Sequence, residues 1–536
     1  MKYYYRFSIT IFLLLNVPCF TSSYSLDNKN TSSSILLLPS SGVYSHDAMM
    51  RQVGESFGSK ESIYWLQLLI YDFSMAIPNF PENWIPLILN KSTPQSQAII
   101  SNGISLFWEL NIPFDMTRPW DLRGALYLVG VLKNNRKYCM ELKNSSQYKE
   151  LLKMNEKIDL IVLDHFFQEC VTSLLSKMNK TTIQFSNWPL SDGYISSLNI
   201  PAMPSSVPKT GTLFSGKGMS FMERVLNFLY QLLITVSRIL LNFTIYYDFD
   251  SNIFEIEAKH LLYAGRSEMI MEPVRPINNR IKYFGSMLVN KENNYILKNE
   301  NLTKNFSWND LNKKKFILVT FGSISNVKYM PKKLLQILLN VFESRKYNII
   351  WQTNTDHDEI ALIPNIKVPS NVIIVKWIPL RLLYNHPKLK YVICHGGINT
   401  LNELIYFQVP FVGIPLQGDQ SSNLQRLVDL NACKLITIRE VWELKLNNVL
   451  DNFEKDYEHY HKRCKEIGEM IAFHKKISNN EQMFWVQWSI RHGKQILNKS
   501  NQKYFDMRMK STIETYMLQD IFYYTVLFII IILLLP

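Results

Sequence analysis

Tyr391-Val-Ile-Cys-His-Gly-Gly-Ile-Asn-Thr-Leu-Asn-Glu403 is the stretch on which the fold turns. Its first four residues are a short uncharged run of the kind that forms a strand buried on both faces. His395 follows, and then Gly396 and Gly397 let the backbone approach a ligand closely before a helix opens with Asn399 and Thr400 in its first turn. Free amide donors at the positive end of a helix dipole make an anion site. Asn399 and Glu403 are four apart and share a helix face, which puts a carboxylate one turn below the phosphate position, where a ribose diol would lie.

Just beyond that helix, Val412-Gly-Ile-Pro-Leu-Gln-Gly-Asp-Gln420 repeats the pattern of a strand running into a polar loop. Asp419 and Gln420 are expected at the same sheet edge, and an acid beside an amide suits adjacent sugar hydroxyls, each of which needs a donor and an acceptor. Other apolar runs complete the β-then-α grammar of parallel sheets: Ser34–Pro39 and Ile158–Leu163 in the first half, and Lys315–Thr320, Asn348–Trp351, Val372–Val375 and Phe411–Ile414 in the second. The predicted fold class is α/β, with two doubly wound domains facing one another across a cleft. Ligands in such sheets sit at the carboxyl ends of the strands.

A chain of 536 residues exceeds what one core supports. The predicted layout is a signal peptide over 1–25, an N-terminal Rossmann-like domain over 26–290 and a polar linker over 291–314. A C-terminal Rossmann-like domain follows over 315–480, then helices over 481–515 that pack back toward the N-terminal domain, and an anchor over 516–536. Composition is globular, with 47% hydrophobic and 13% aromatic residues. The net charge of +13 reads as a solvated basic surface, because no Arg-rich stripe or basic-aromatic module accompanies it; nucleic acid is excluded as a partner.

Lys2 and Arg6 precede the apolar segment Ile9–Val17, followed by the small residues Thr21, Ser22 and Ser23, the layout of a secretory signal. Sequons at Asn30, Asn90, Asn144, Asn179, Asn242, Asn301, Asn305 and Asn498 suit a lumenal chain. Ile521–Pro536 is uncharged and apolar. As a helix it would rise about 24 Å, short of a hydrocarbon core of roughly 30 Å, so it is expected to be a marginal single span. Lys503, Arg508 and Lys510 lie on the side opposite to that expected for a lumenal body. The cysteines remaining after removal of the signal, Cys139, Cys170, Cys394, Cys433 and Cys464, are odd in number and lack metal spacing, so at most an incidental disulfide is expected.

From Trp377 to Asn423 the chain reads W-I-P-L-R-L-L-Y-N-H-P-K-L-K-Y-V-I-C-H-G-G-I-N-T-L-N-E, then V-P-F-V-G-I-P-L-Q-G-D-Q-S-S-N, which resembles the signature of the animal UDP-glycosyltransferases, the UDP-glucuronosyltransferase superfamily. Phe321-Gly-Ser323, Met219–Val225, Met483–Arg491 and the signal-plus-anchor layout extend the resemblance. It implies a GT-B arrangement and a UDP-sugar donor site in which Trp377 stacks on uracil. His395 contacts the diphosphate, to which Gly397, Asn399 and Thr400 donate, and Ser323 closes the site. Glu403 holds the ribose, and Asp419 with Gln420 the transferred sugar. Three positions depart from the family pattern: Leu380 stands where a Gln helps to read the nucleotide, Gln408 replaces a Gly, and Cys394 replaces a Thr.

On the acceptor side, His46 follows the first strand and Asp164 ends the strand Asp159–Asp164, so both fall at the carboxyl edge of one sheet. An imidazole with a pKa near ~6.5 can take a proton from an acceptor hydroxyl, and a carboxylate can fix its tautomer. The arrangement is similar to the family's catalytic His and Asp, although Gly58-Ser-Lys-Glu-Ser-Ile63 replaces the family's ending of the first helix. The implied reaction is a single inverting displacement that moves a hexosyl or glucuronosyl group to a small lipophilic acceptor at the endoplasmic reticulum membrane, with no cofactor and no metal. A catalytically silent member that binds a nucleotide sugar or lipid, or partners an active paralogue, is the alternative, and homo- or hetero-oligomerisation is left open. Gly211-Thr-Leu-Phe-Ser-Gly-Lys217 nearly spells a phosphate-binding loop but has Gly218 where Ser or Thr should ligate magnesium. Asp248, Asp250, Asp356 and Asp358 are read as surface charge.

Overall fold

The computed structural model describes residues 33–40, 44–58, 61–70, 80–91, 105–165, 169–186, 190, 192–195, 197–198, 200–244, 252–285, 301–303, 306–498 and 518–534. The predicted signal peptide, Asn30, Asp248, Asp250 and Asn305 lie outside them, as does the linker over 291–300.

Two parallel sheets organise residues 34–283 and 316–435. The first is built from β1 (Ser34–Leu38), β2 (Ser62–Ile70), β3 (Trp84–Lys91), β4 (Leu160–Asp164), β5 (Thr181–Ser186), β6 (Leu262–Gly265) and β7 (Ile281–Tyr283) in the order β3-β2-β1-β4-β5-β6-β7. After a two-stranded hairpin of β8 (Asn301–Thr303) and β9 (Phe306–Ser307), the second contains β10 (Phe316–Thr320), β11 (Asn348–Gln352), β12 (Val372–Val375), β13 (Leu389–Cys394), β14 (Phe411–Gly413) and β15 (Cys433–Leu435). Its order is β12-β11-β10-β13-β14-β15. In each sheet the chain winds outward through three strands and then returns to the other side of the first. The topological switch points therefore fall between β1 and β4 and between β10 and β13, where crevices open at the carboxyl ends. The register pairs Leu38 with Leu163 in one crevice and Thr320 with Cys394 in the other.

The central strands form because their side chains are apolar on both faces: every residue of β4 and β10 is buried. Helices cover both sides, and Lys332–Glu343 alone buries Leu334, Leu335, Ile337, Leu338, Leu339 and Phe342 against the second sheet. Burying a Leu, Ile or Phe side chain contributes roughly 1.5–3 kcal/mol, so a run of this kind dominates its local stability.

The two halves are tied by more than a linker. Phe107, Trp108, Leu110 and Ile112, which precede the return to β4, are buried in the core of the second sheet, where the Trp108 ring meets Phe321 edge-on at 5.3 Å. Ile112 forms a parallel bridge with Gln417, and Gly418 donates its backbone N–H to Ile112. The helix Tyr457–Ile496 buries Cys464, Ile467 and Ile471 in the second core and Val486 in the first. It is a single element of 40 residues that runs on through residue 480, with no Pro or Gly to interrupt it there.

The segment Gly211–Lys217 is a loop that joins the halves: Gly211 donates to Ser422, and Ser215 and Gly216 donate to Asp429. Asp356 pairs with Lys376 on the surface. Cys139 is disulfide-bonded, and Cys394, Cys433 and Cys464 are buried free thiols. Leu518–Leu534, within the predicted anchor, is an apolar helix with Ile521–Leu533 exposed. Among the described residues, only Phe221–Thr244 is long and apolar enough to cross a membrane. Its buried positions are the polar Asn227 and Gln231, while Phe221, Phe228, Leu229, Leu232 and Phe243 face outward.

Candidate active site

His46 lies in the first turn of the helix Tyr44–Glu55, which follows β1, and Asp164 is the last residue of β4. The first switch point thus brings together two residues 118 positions apart: His46 Nδ1 and Asp164 Oδ2 are 2.7 Å apart, with 6% and 0% of each residue exposed. Burial disfavours the His46 imidazolium, but the charge and hydrogen bond of Asp164 outweigh it, helped by Asp419 and Asp47, so the pKa rises above 6.5. Burial also pushes Asp164 upward, yet His46 and His165 hold it well below the usual carboxylate range. An ionised carboxylate on Nδ1 leaves Nε2 as the nitrogen able to accept a proton.

His165 is the residue that sequence reasoning missed here. Its Nδ1 stands 3.4 Å from Asp164 Oδ1, so each carboxylate oxygen has its own imidazole. Burial lowers the His165 pKa, which keeps this second ring neutral. Its adjacency to Asp164 was the available signal.

The second switch point holds the other candidates. His395 follows β13, and its ring lies between two glycines. A Cβ on Gly322 or on Gly397 would come within 2.6 Å and 2.5 Å of Nε2. Gly322 also has φ +77°, which any other L-residue adopts at a cost. Burial drives the His395 pKa down to about 4, so at neutral pH it offers a neutral N–H and no positive charge. Gly397 is the N-cap of the helix Ile398–Tyr406, and no side chain caps it, which leaves first-turn amides for an anion. Thr400 is half-buried in that first turn, and Ser323, after β10, is half-buried beside Gly322.

Asn399, expected to face the diphosphate, donates from Nδ2 to the carbonyl of Ser45 at 3.2 Å, joining the helix end of one sheet to the turn that carries His46. Trp377 is 46% exposed, as a stacking platform must be. Glu403 is held by Arg381, whose Nε lies 2.6 Å from Oε1. Burial raises the Glu403 pKa against the pull of Arg381.

Asp419 is the N-cap of the helix Gln420–Asp429, and burial raises its pKa to about 6 despite a hydrogen bond from Asn423. Its charge helps to raise the His46 pKa, so the second sheet's acid is within electrostatic reach of the first sheet's base. Gln420 is buried, and its Oε1 accepts from the backbone N–H groups of Leu416 and Gln417, so half of its amide is spent on shaping the loop. The two site halves therefore converge. Among the described residues no group of three or more His, Cys, Asp or Glu side chains could hold a metal ion.

A family model for UDP-glucoronosyl and UDP-glucosyl transferase matches residues 126–502, more than half of the chain. The chain belongs to this UDP-glycosyltransferase family. All candidate residues except His46 lie within the matched span. Among its relatives, mouse UDP-glucuronosyltransferase 3A2 is 26% identical over 59% of this chain and 60% of its own length. Human 2-hydroxyacylsphingosine 1-beta-galactosyltransferase is 24% identical over 69% and 66%. The match thus spans less than two thirds of these relatives. A UDP-glucosyltransferase of Polygonum tinctorium has a similar fold, with a TM-score of 0.56 at 11% identity over 85% of this chain and 98% of that one. The calicheamicin glycosyltransferase CalG4 gives 0.53 at 12% identity over 85% and 98%. With these neighbours and two facing parallel sheets, this family member has the GT-B architecture.

Proposed function

We propose that the chain is an inverting glycosyltransferase that moves a hexosyl or glucuronosyl group from a UDP-sugar to a hydroxyl of a small lipophilic acceptor. One observation carries this: the buried His46–Asp164 pair of one sheet lies beside Asp419 and the uncapped helix end of the other, with Asn399 bonded to Ser45 between them. A proton acceptor and an anion site face each other across one reacting position.

The acceptor oxygen attacks the anomeric carbon as His46 Nε2 takes its proton, and the bond to UDP breaks with its electron pair leaving on the diphosphate. Asp164 stabilises the imidazolium that forms. First-turn amides from Gly397 to Thr400 and a neutral His395 N–H meet the charge that develops on UDP, so the step needs no metal. Trp377 stacks on uracil, Glu403 holds the ribose, Asp419 with the free amide end of Gln420 holds the sugar, and Ser323 closes the loop. The acylsphingosine named for the human relative favours a lipophilic acceptor.

The layout proposed for the chain is a signal peptide over 1–25, domains over 26–290 and 315–480, and a single-pass anchor over 516–536 that holds the domains in the endoplasmic reticulum lumen. The apolar helix Leu518–Leu534, exposed over Ile521–Leu533, supports the anchor. Carbonate extraction checks it, and recovery in the soluble fraction would remove it.

The enzymatic test is UDP release by the purified chain across a panel of UDP-sugars with phenolic, steroidal and sphingoid acceptors, beside His46→Ala. Acceptor-dependent release that falls about 10²-fold or more in the variant is the expected result. Equal release from both would take His46 out of the mechanism. UDP binding without release from either would favour the silent binding protein.

A further inference from the structure

Leu380 stands where the family pattern has a glutamine that reads the nucleotide. In this chain its side chain packs against the core of the second sheet, so nothing polar is presented from that position. The next residue supplies what is missing. Arg381, in the short helix Leu380–Tyr384 that begins three residues after Trp377, places Nε 2.6 Å from Glu403 Oε1. Its Nη1 and Nη2 make no hydrogen bond among the described residues, and 38% of its side chain is exposed. An arginine fork that uses one edge on a carboxylate keeps several donors for a second acceptor.

We infer that Arg381 is the nucleotide-reading residue of this chain: it holds Glu403 by one oxygen, leaves the other for a ribose diol, and turns its remaining donors to the oxygen atoms of a pyrimidine nucleoside stacked on Trp377. The inference rests on the proposed donor site. The chemistry fits a uridine nucleotide, whose ring edge and ribose are rich in acceptor oxygens and whose single ring suits a platform three residues from the helix. Arg381 is a binding residue at the nucleoside end of the donor. Its loss therefore acts on donor affinity far more than on turnover at saturating donor. Glutamine restored at 380 should recover part of that loss, which a purely structural ion pair would not allow.

The experiment is calorimetric titration of the full chain with UDP, for the native sequence, Arg381→Ala, Arg381→Gln, Glu403→Gln and the double variant Leu380→Gln/Arg381→Ala. Arg381→Ala should weaken UDP about tenfold or more, Arg381→Gln less, and the double variant should regain affinity over Arg381→Ala. Unchanged or tighter UDP binding by Arg381→Ala, with Glu403→Gln weakened, would overturn the inference and leave the donor site standing. If Glu403→Gln also binds UDP as the native chain does, or the native chain does not bind UDP, the donor-site reading fails and the inference with it.

Discussion

Asn399 and Ser45 lie in helices that follow strands of different sheets, yet the side-chain amide of one donates to the backbone carbonyl of the other at 3.2 Å, one residue before His46. A single hydrogen bond thus couples the helix end proposed to hold the diphosphate to the turn proposed to hold the base. Replacing Asn399 with Ala removes a donor from the anion site and releases that turn. Steady-state kinetics should show kcat/KM lower by about tenfold or more, and an isosteric Asn399→Asp should do no better, because a carboxylate cannot donate and repels the diphosphate.

The base titrates above the ordinary histidine value. Because Asp164 raises the His46 pKa, the imidazole is protonated and inactive at low pH, and kcat/KM should rise with pH through a midpoint above 6.5. Asp164→Asn removes the charge that causes the shift, so a pH profile of the variant should show its acid limb displaced downward, with a lower plateau. An acid limb that stays in place would argue that another group titrates there.

Burial raises the Asp419 pKa to about 6. Below that pH it carries a proton and ceases to be an ionised acceptor for sugar hydroxyls, so donor KM should rise as pH falls through 6. In Asp419→Asn this pH dependence of KM should vanish while KM is raised throughout.

His395 tolerates no side chain on either neighbour. Gly397→Ala puts a Cβ 2.5 Å from Nε2, and the ring or the helix start must move. A loss of about 1–3 kcal/mol in stability is expected from such overpacking. Thermal unfolding measured with and without UDP should show a lower Tm and a smaller shift on adding UDP.

The exposed face of Phe221–Thr244 packs against nothing among the described residues. Phe228→Lys and Leu232→Lys should therefore leave the unfolding free energy within about 0.5 kcal/mol of the native value, because only solvated side chains change. Chemical denaturation of the purified variants checks this, and a large loss would mean that the face is covered.

The central strands were legible because each is an apolar run bounded by turn residues: β1, β4 and β10 to β14 fall within two residues of their predicted positions. Several of the remaining strands lack that signature. β5 is Thr-Thr-Ile-Gln-Phe-Ser, β15 is Cys-Lys-Leu, and β3 carries Pro86 at the edge of its sheet, where a missing donor is tolerated. His46 and Asp164 could be paired in advance because one follows the first strand and the other ends its neighbour. Nothing local in Phe107–Ile112 says that it will enter the other half's core, and nothing in Arg381 says which carboxylate it will find. Such contacts are decided by how the sheets meet, which no periodicity encodes.

The unbroken helix Tyr457–Ile496 has 40 residues, about 60 Å of rod. With Ile467 clamped in one core and Val486 in the other, it acts as a splint across the two halves. Any motion between the halves is then one that the splint permits: a twist about its own axis or a flexing of its middle, never a free swing of one half from the other.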